Sequence, residues 1–193
     1  MNVFVAGLSY KTAPVALREQ LAISPSKIHC HGCRLKIGAD LSEVVLLSTC
    51  NRVEIYGVAH SVNGNVDSIF RHLATSEYDF RPHMYVHQGT EALKHLFAVT
   101  SGLDSMVIGE TEITGQVKQA YEKAHEAKLT GSVLNRVFQK AMQTAKEVRT
   151  RTQIGRGATS VGSVAVELAD KIFGNKIAQQ SIMIIGAGQM GEA

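Results

Sequence analysis

Ser48, Thr49, Cys50, Asn51 and Arg52 stand in a row between two β-rich runs, which puts a thiol at the mouth of a strand turn beside a hydroxyl, an amide and a guanidinium. A cationic neighbour favours thiolate over thiol, lowers a cysteine pKa from about 8.5 and makes the sulfur a usable nucleophile at neutral pH. The competing role for the same residue is a small buried hydrophobe, because free cysteine is among the most buried residue types. Acid–base chemistry beside such a thiol suits a histidine, and His95 lies in an apolar helical run over residues 91–99. His83 and His87 are rivals by spacing, and a histidine between Ala92 and Val99 can equally be a satisfied core residue.

Three further constellations carry weaker signals. Residues 101–110 and the following Gly115 and Gln116 set polar side chains, among them Ser105 and Glu110, between apolar anchors. Buried polar groups need partners, and a polar substrate is one; a capped helix entry is the other. Cys30 and Cys33, flanked by His29 and His31, make a single C-x-x-C. That is half a zinc site with no second pair, so a solvated helix with incidental thiols is expected and no metal is assigned. Gly186, Gly188 and Gly191 follow a β-branched run, the pattern of a dinucleotide turn that brings a pyrophosphate to a helix N-terminus.

The elements that would position these groups follow from hydrophobic period. Residues 3–7 read as a strand, and Pro14 suits a first helical turn. A helix starts at Ser24-Pro25 and stops at Gly38. Residues 44–47 and 53–58 are two strands so closely linked that they should pair antiparallel, residues 66–73 a helix, and 84–87 a short strand. Strand, helix, strand, strand, helix, strand is the split βαβ order of a ferredoxin-like sheet. From Thr90 the period is 3.6. Ile113, Val117, Ala120, Tyr121 and Ala124 form one stripe. Ser132 is the expected N-cap of a second long helix with Leu134, Val137, Phe138, Ala141, Ala145 and Val148 on one face, ending near Gly155 or Gly157. A further helix over residues 160–173 should turn Val161, Val164, Ala165, Leu168, Ala169 and Ile172 inward, with Gly174 as its C-terminal cap and a buried strand over 181–185 after it.

Composition bounds the class. The chain has 193 residues, 45% hydrophobic and 19% charged, enough apolar matter for one full domain plus a remainder. It has no run of 18 apolar residues, no basic leader before its first apolar stretch, and only three cysteines, so a cytoplasmic, non-membrane protein is expected. The net charge of +3 does not identify a nucleic-acid binder. Between Arg136 and Arg156, however, six basic residues face one acidic residue, a local stripe that could meet a polyanion.

Read together, the runs 7–14 (GLSYKTAP), 47–56 (LSTCNRVEIY), 95–110 (His95-Leu-Phe through GLDSMVIGE), 115–118 (GQVK), 146–149 (KEVR) and 186–190 (GAGQM) resemble the glutamyl-tRNA reductase family over essentially the whole chain. One departure stands out: after Gly109-Glu110 the family usually shows Pro-Gln-Ile-Leu, and here the residues are Thr111-Glu112-Ile113-Thr114. The resemblance implies an NADPH-dependent oxidoreductase that starts five-carbon tetrapyrrole (porphyrin) biosynthesis. Cys50 attacks the ester of glutamyl-tRNA to leave a glutamyl thioester, which hydride reduces to glutamate-1-semialdehyde. It also implies that Thr49, Arg52, Ser105, Glu110 and Gln116 hold the glutamate moiety, with Arg52 forked onto its carboxylate and Glu110 paired with its α-amino group. By the same resemblance His95 lies near the reactive centre, either moving a proton or orienting the ester, and Gly186, Gly188 and Gly191 begin the NADPH site.

The implied layout is an α+β catalytic domain over residues 1–99, a helical segment over 100–158 that completes the pocket and leads away, and the truncated start of a Rossmann-type NADPH domain over 159–193. Such a chain should form the thioester, or deacylate the tRNA, without reducing it. The whole protein would be a homodimer, with glutamate-1-semialdehyde aminomutase a candidate downstream partner. Two other functions remain: a non-catalytic tRNA-binding or regulatory module using the basic stripe, and a cysteine-dependent aldehyde oxidoreductase acting on a small acyl thioester.

Overall fold

A computed structural model describes residues 2–24, 27–60, 68–69, 80–155, 160–181 and 183. Four strands, β1 (Asn2–Ser9), β2 (Leu41–Ser48), β3 (Arg52–Ala59) and β4 (Tyr85–Gln88), form one sheet in the order β2-β3-β1-β4, and every neighbouring pair is antiparallel. Two helices, α1 (Val15–Leu21) and α2 (Ile28–Gly38), connect β1 to β2. After β4 come α3 (Thr90–Thr100), α4 (Glu112–Glu126), α5 (Ser132–Arg151) and α6 (Val161–Phe173). The strands expected at 3–7, 44–47, 53–58 and 84–87 are all present, a residue or more longer at most ends, and β2 and β3 pair as expected. Most of the helix expected over 66–73 lies outside the described residues, of which Ser68 and Ile69 are helical.

Antiparallel pairing fixes which side chains share a face. Gly7 stands opposite Glu54 on β3 and opposite Tyr85 on β4, while Val5 stands opposite Tyr56 and His87. Arg52, Glu54 and Tyr56, two apart along β3, therefore project to the same side as Tyr85 and His87. Gly7 is the gap that lets them meet: a Cβ there would lie 2.5 Å from the Val53 carbonyl oxygen and 2.8 Å from Glu54 Cγ. Without it, the Glu54 side chain crosses β1 to reach β4.

The helical layer follows the sequence stripes. α4 buries Ile113, Val117, Ala120, Tyr121 and Ala124, the whole stripe expected of it. α5 buries Leu134, Phe138, Ala141 and Ala145, with Val137 and Val148 half-buried, and Phe138 meets Tyr56 edge-on at 5.4 Å between ring centres. Its ends differ from expectation. Gly131 is the N-cap, Ser132 is the first helical residue, and the helix stops at Arg151 rather than near Gly155. The start is capped from a distance: the Glu43 carboxylate on β2 accepts from the backbone N–H of Val133 at 3.1 Å and of Leu134 at 2.7 Å. That buried acid satisfies two orphan donors and lies favourably against the helix dipole, so no local cap is needed. Gly131 leaves it room, since a Cβ there would sit 2.7 Å from Glu43 Oε1.

α6 corrects a second expectation. Ser160 caps it through a reciprocal bond with Ser163, and Gly174 ends it with φ +51° as expected. Its apolar face is nevertheless open among the described residues: Leu168 is 55% and Ile172 65% exposed. An amphipathic stripe specifies a face that wants covering, not the element that covers it. The strand expected over 181–185 lies largely outside the described residues. No helix is long and apolar enough to cross a membrane among the described residues.

Candidate functional site

Cys50 sits at the tip of the turn joining β2 to β3, with its side chain exposed. The backbone of that turn is tied from several sides. Thr49 Oγ1 accepts from the N–H groups of Asn51 and Arg52, each at 3.2 Å, and Thr49 N–H donates to the Arg52 carbonyl at 2.9 Å. Tyr10 N–H donates to the Asn51 carbonyl at 2.8 Å, joining the turn to the loop after β1. Arg18 of α1, buried to 8% exposure, donates to the Cys50 carbonyl, to Asn51 Oδ1 at 3.2 Å and to the Ala13 carbonyl at 3.3 Å. The thiol is thus presented to solvent on a rigid turn, with a buried cation behind its own peptide.

Sequence reasoning missed Arg18, because α1 is too short for a clear stripe. Arg18→Ala is expected to loosen the turn that presents Cys50, read as faster amide hydrogen exchange at Asn51 and Arg52. It should also cost about 2 kcal/mol in a urea titration, the usual loss for charged hydrogen bonds removed from a buried carbonyl.

Beneath the turn lies a charged network centred on Glu54, which is fully buried. Its Oε1 accepts from Arg52 Nη1 at 2.8 Å, from the Tyr85 hydroxyl, and faces His95 Nε2 at 2.8 Å. Its Oε2 accepts from the Tyr56 hydroxyl at 2.6 Å. Burial alone would raise the pKa of this carboxyl, but the His95 hydrogen bond, the Arg52 charge and the Tyr56 hydroxyl outweigh it and hold the pKa at about 2. Burial and the neighbouring carboxylate push both Tyr56 and Tyr85 well above the usual phenol range. Arg52 is 1% exposed, and its other arm, Nη2, donates to the Asp104 carbonyl and to Asp104 Oδ2 at 3.1 Å. Asp104 also pairs with Lys11. Against its burial, the Lys11 hydrogen bond and Arg52 keep Asp104 below the ordinary carboxylate range.

The network opens into a cleft of about 260 Å³ lined by Ser9, Lys11, Thr12, Tyr85, His87, His95 and Asp104. His95 comes from α3, and its ring lies 5.2 Å from those of both Tyr85 and His87. Of the rival histidines, His87 thus shares the cleft, whereas His83 Nδ1 bonds the Thr12 carbonyl at 2.8 Å. The loop over residues 9–13 forms one wall of the cleft and holds the Cys50 turn, so thiol and cleft share a support.

The remaining expected residues fall into two groups. Ser105 joins this assembly: the Tyr10 hydroxyl donates to its carbonyl at 3.2 Å, and its Oγ is buried without a hydrogen-bond partner among the described residues. Glu110 and Gln116, both half-buried, have no hydrogen bond to the Cys50 turn among the described residues. Glu110 is held through its backbone, whose carbonyl accepts from Arg149 of α5 at 3.0 Å, while the same guanidinium reaches Thr114 Oγ1 at 2.6 Å. Arg149 is therefore spent inside the fold, and among the described residues the exposed cations of the basic stripe are Arg136, Lys140, Lys146 and Arg151. The fork expected of Arg52 is filled from within by Glu54 and Asp104. Cys30 and Cys33 lie on α2, with Cys33 Sγ 3.7 Å from His29 Nε2, and no group of three metal-ligating side chains occurs among the described residues. Gly186, Gly188 and Gly191 lie outside the described residues.

Residues 6–152 match the family model described as Glutamyl-tRNAGlu reductase, N-terminal domain. The glutamyl-tRNA reductase of Geobacter metallireducens is 46% identical over 196 aligned residues, covering 100% of this chain and 45% of that protein. The glutamyl-tRNA reductase of Akkermansia muciniphila is 46% identical, covering 98% of this chain and 56% of that protein. A solved structure of glutamyl-tRNA reductase from Methanopyrus kandleri superposes with a TM-score of 0.72 at 34% identity, over 89% of this chain and 40% of that one. The chain spans about half the length of the curated relatives it matches.

Proposed function

The chain belongs to the glutamyl-tRNA reductase family, matching its N-terminal domain, and from that premise we propose that it carries the thioester-forming site of an enzyme that reduces glutamyl-tRNA to glutamate-1-semialdehyde. The observation that carries this reading is the exposed Cys50 thiol on a turn fixed by Arg18, Thr49 and Tyr10, joined to the loop over residues 9–13 that also walls a cleft lined by charged and hydroxyl groups. The Cys50 sulfur attacks the carbonyl carbon of the glutamyl ester, and the bond to the ribose oxygen breaks. The tRNA leaves with a free terminal hydroxyl that has gained the thiol proton, and glutamate stays as a thioester.

In this reading Asp104 is the movable partner in the cleft. The side-chain carboxylate of the glutamyl group takes its place on Arg52 Nη2 and Lys11, while Glu54 keeps Arg52 in position. The unpartnered Ser105 hydroxyl and the half-buried Gln116 and Glu110 complete the polar contacts, Glu110 toward the α-amino group. Exposed Arg136, Lys140, Lys146 and Arg151 on α5 offer a surface for tRNA phosphates. The sheet order β2-β3-β1-β4 is what two interleaved βαβ units produce, which supports a ferredoxin-like catalytic domain. NADPH would supply hydride to the thioester from the Rossmann-type domain that Gly186, Gly188 and Gly191 begin, and the homodimer and hand-over to the aminomutase belong to the whole protein. What this chain's described residues do ends at the thioester.

The test is mass spectrometry of the intact chain after exposure to glutamyl-tRNA, followed by peptide mapping. One glutamyl group on the peptide bearing Cys50 is expected. No adduct, or an adduct on Cys30 or Cys33 instead, overturns the reading.

A further inference from the structure

We propose that Glu54 is the positioning residue for His95, fixing its neutral ring as the Nε2–H tautomer so that Nδ1 is the nitrogen that accepts a proton in the cleft. This rests on the proposed function, and within it decides between the two roles open to His95: proton transfer rather than orientation of the ester by an N–H.

The missing Cβ of Gly7 leaves room for the Glu54 carboxylate to reach β4, so that its Oε1 accepts from Arg52 and Tyr85 and its Oε2 from Tyr56. From α3, His95 Nε2 faces the same Oε1 at 2.8 Å. An ionised carboxylate only accepts, so the nitrogen facing it must carry hydrogen. Neutral imidazole has one N–H, which leaves Nδ1 with a lone pair. Rings of Tyr85 and His87, each 5.2 Å away, pack against His95 and fix the direction of that lone pair. When Nδ1 takes the thiol proton, the imidazolium is held by a carboxylate that stays charged. The same proton then passes from Nδ1 to the departing ribose oxygen. Orientation by a buried acid is the general logic of acid–histidine pairs, and here the acid lies on the strand that begins two residues after the thiol.

Two measurements test this. The first is the long-range ¹H–¹⁵N spectrum of the histidine rings in the ¹⁵N-labelled chain, with His95 identified by the signals lost in His95→Gln. The expected neutral form has Nε2 protonated and Nδ1 as the bare nitrogen; a protonated Nδ1 overturns the proposal. The second is single-turnover thioester formation by Glu54→Gln at saturating glutamyl-tRNA, expected to be about 100-fold slower, within the range for general-base catalysis. A folded Glu54→Gln with an unchanged rate overturns the proposal. Should that variant fail to fold, the tautomer in the unmodified chain decides the question alone. The expected tautomer with no glutamyl adduct on Cys50 instead sinks the proposed function and leaves the Glu54–His95 pair as a structural one.

Discussion

Cys50→Ser is expected to lose covalent capture of glutamate from glutamyl-tRNA by about 1,000-fold or more, leaving the fold intact. The size of the loss follows from ionisation. A thiol ionises far more readily than a serine hydroxyl and its sulfur is the stronger nucleophile, whereas the hydroxyl needs a base to remove its proton during attack. Removing a nucleophile from a concerted set of groups costs far more than removing a supporting contact. The fold should not notice, because the turn is held through the backbone of residue 50 and its neighbours and the side chain is exposed. Urea midpoints of the two proteins should agree while mass spectrometry shows the adduct only in the parent. The exposed Cys30 is an internal control, since it shares the solvent but has no Arg18 behind it. A Cys50→Ser protein that still captures glutamate would favour a binding module, which should instead show strongly salt-dependent tRNA binding insensitive to Cys50 alkylation.

Sequence patterns with a short range were the readable ones. The apolar stripe of α4 and the paired strands β2 and β3 each follow from a period of a few residues, and the structure has them where the period puts them. Cys50, Thr49 and Arg52 share one short motif, so their common location was legible too. What could not be read is contact across the chain. Glu43 caps a helix 90 residues downstream in sequence, so Ser132 stood out as the nearer cap while the better acceptor was out of sight. Glu54 was passed over for a similar reason. A carboxylate inside the apolar run Val53-Glu54-Ile55 was itself a signal, and strand alternation places it with Arg52 and Tyr56, but Tyr85, His95 and the Gly7 gap that joins them come from three other elements. The role expected of Arg52 illustrates the cost. Read alone it is a fork waiting for a ligand; in its setting both arms already hold acids.

Glu54→Ala is expected to destabilise the chain by about 3–5 kcal/mol, the usual cost of breaking a buried ion pair from one side. Arg52 would keep its charge at 1% exposure with only Asp104 for compensation, and the hydroxyls of Tyr56 and Tyr85 would lose their acceptor. Against a typical total stability of about 5–15 kcal/mol, that brings the variant near its folding limit. Replacing both partners as Arg52→Met with Glu54→Leu should be less damaging than the single change, because no orphaned charge remains. The acid behaviour follows from the same carboxylate. Its pKa is held at about 2 in the fold against an ordinary 4.5, so between those values the unfolded chain binds the extra proton. The contribution of Glu54 is therefore fully present above about pH 4.5 and is lost as pH falls toward 2, amounting to about 3 kcal/mol on the scale of 1.36 kcal/mol per unit. Urea titrations at pH 7 and pH 3 should show the parent losing stability with acid more steeply than the Arg52→Met, Glu54→Leu double variant. A parent that instead gained stability with acid relative to the double variant would mean that Glu54 is protonated in the native state, and a protonated Glu54 could not fix the Nε2–H tautomer of His95 or hold its imidazolium.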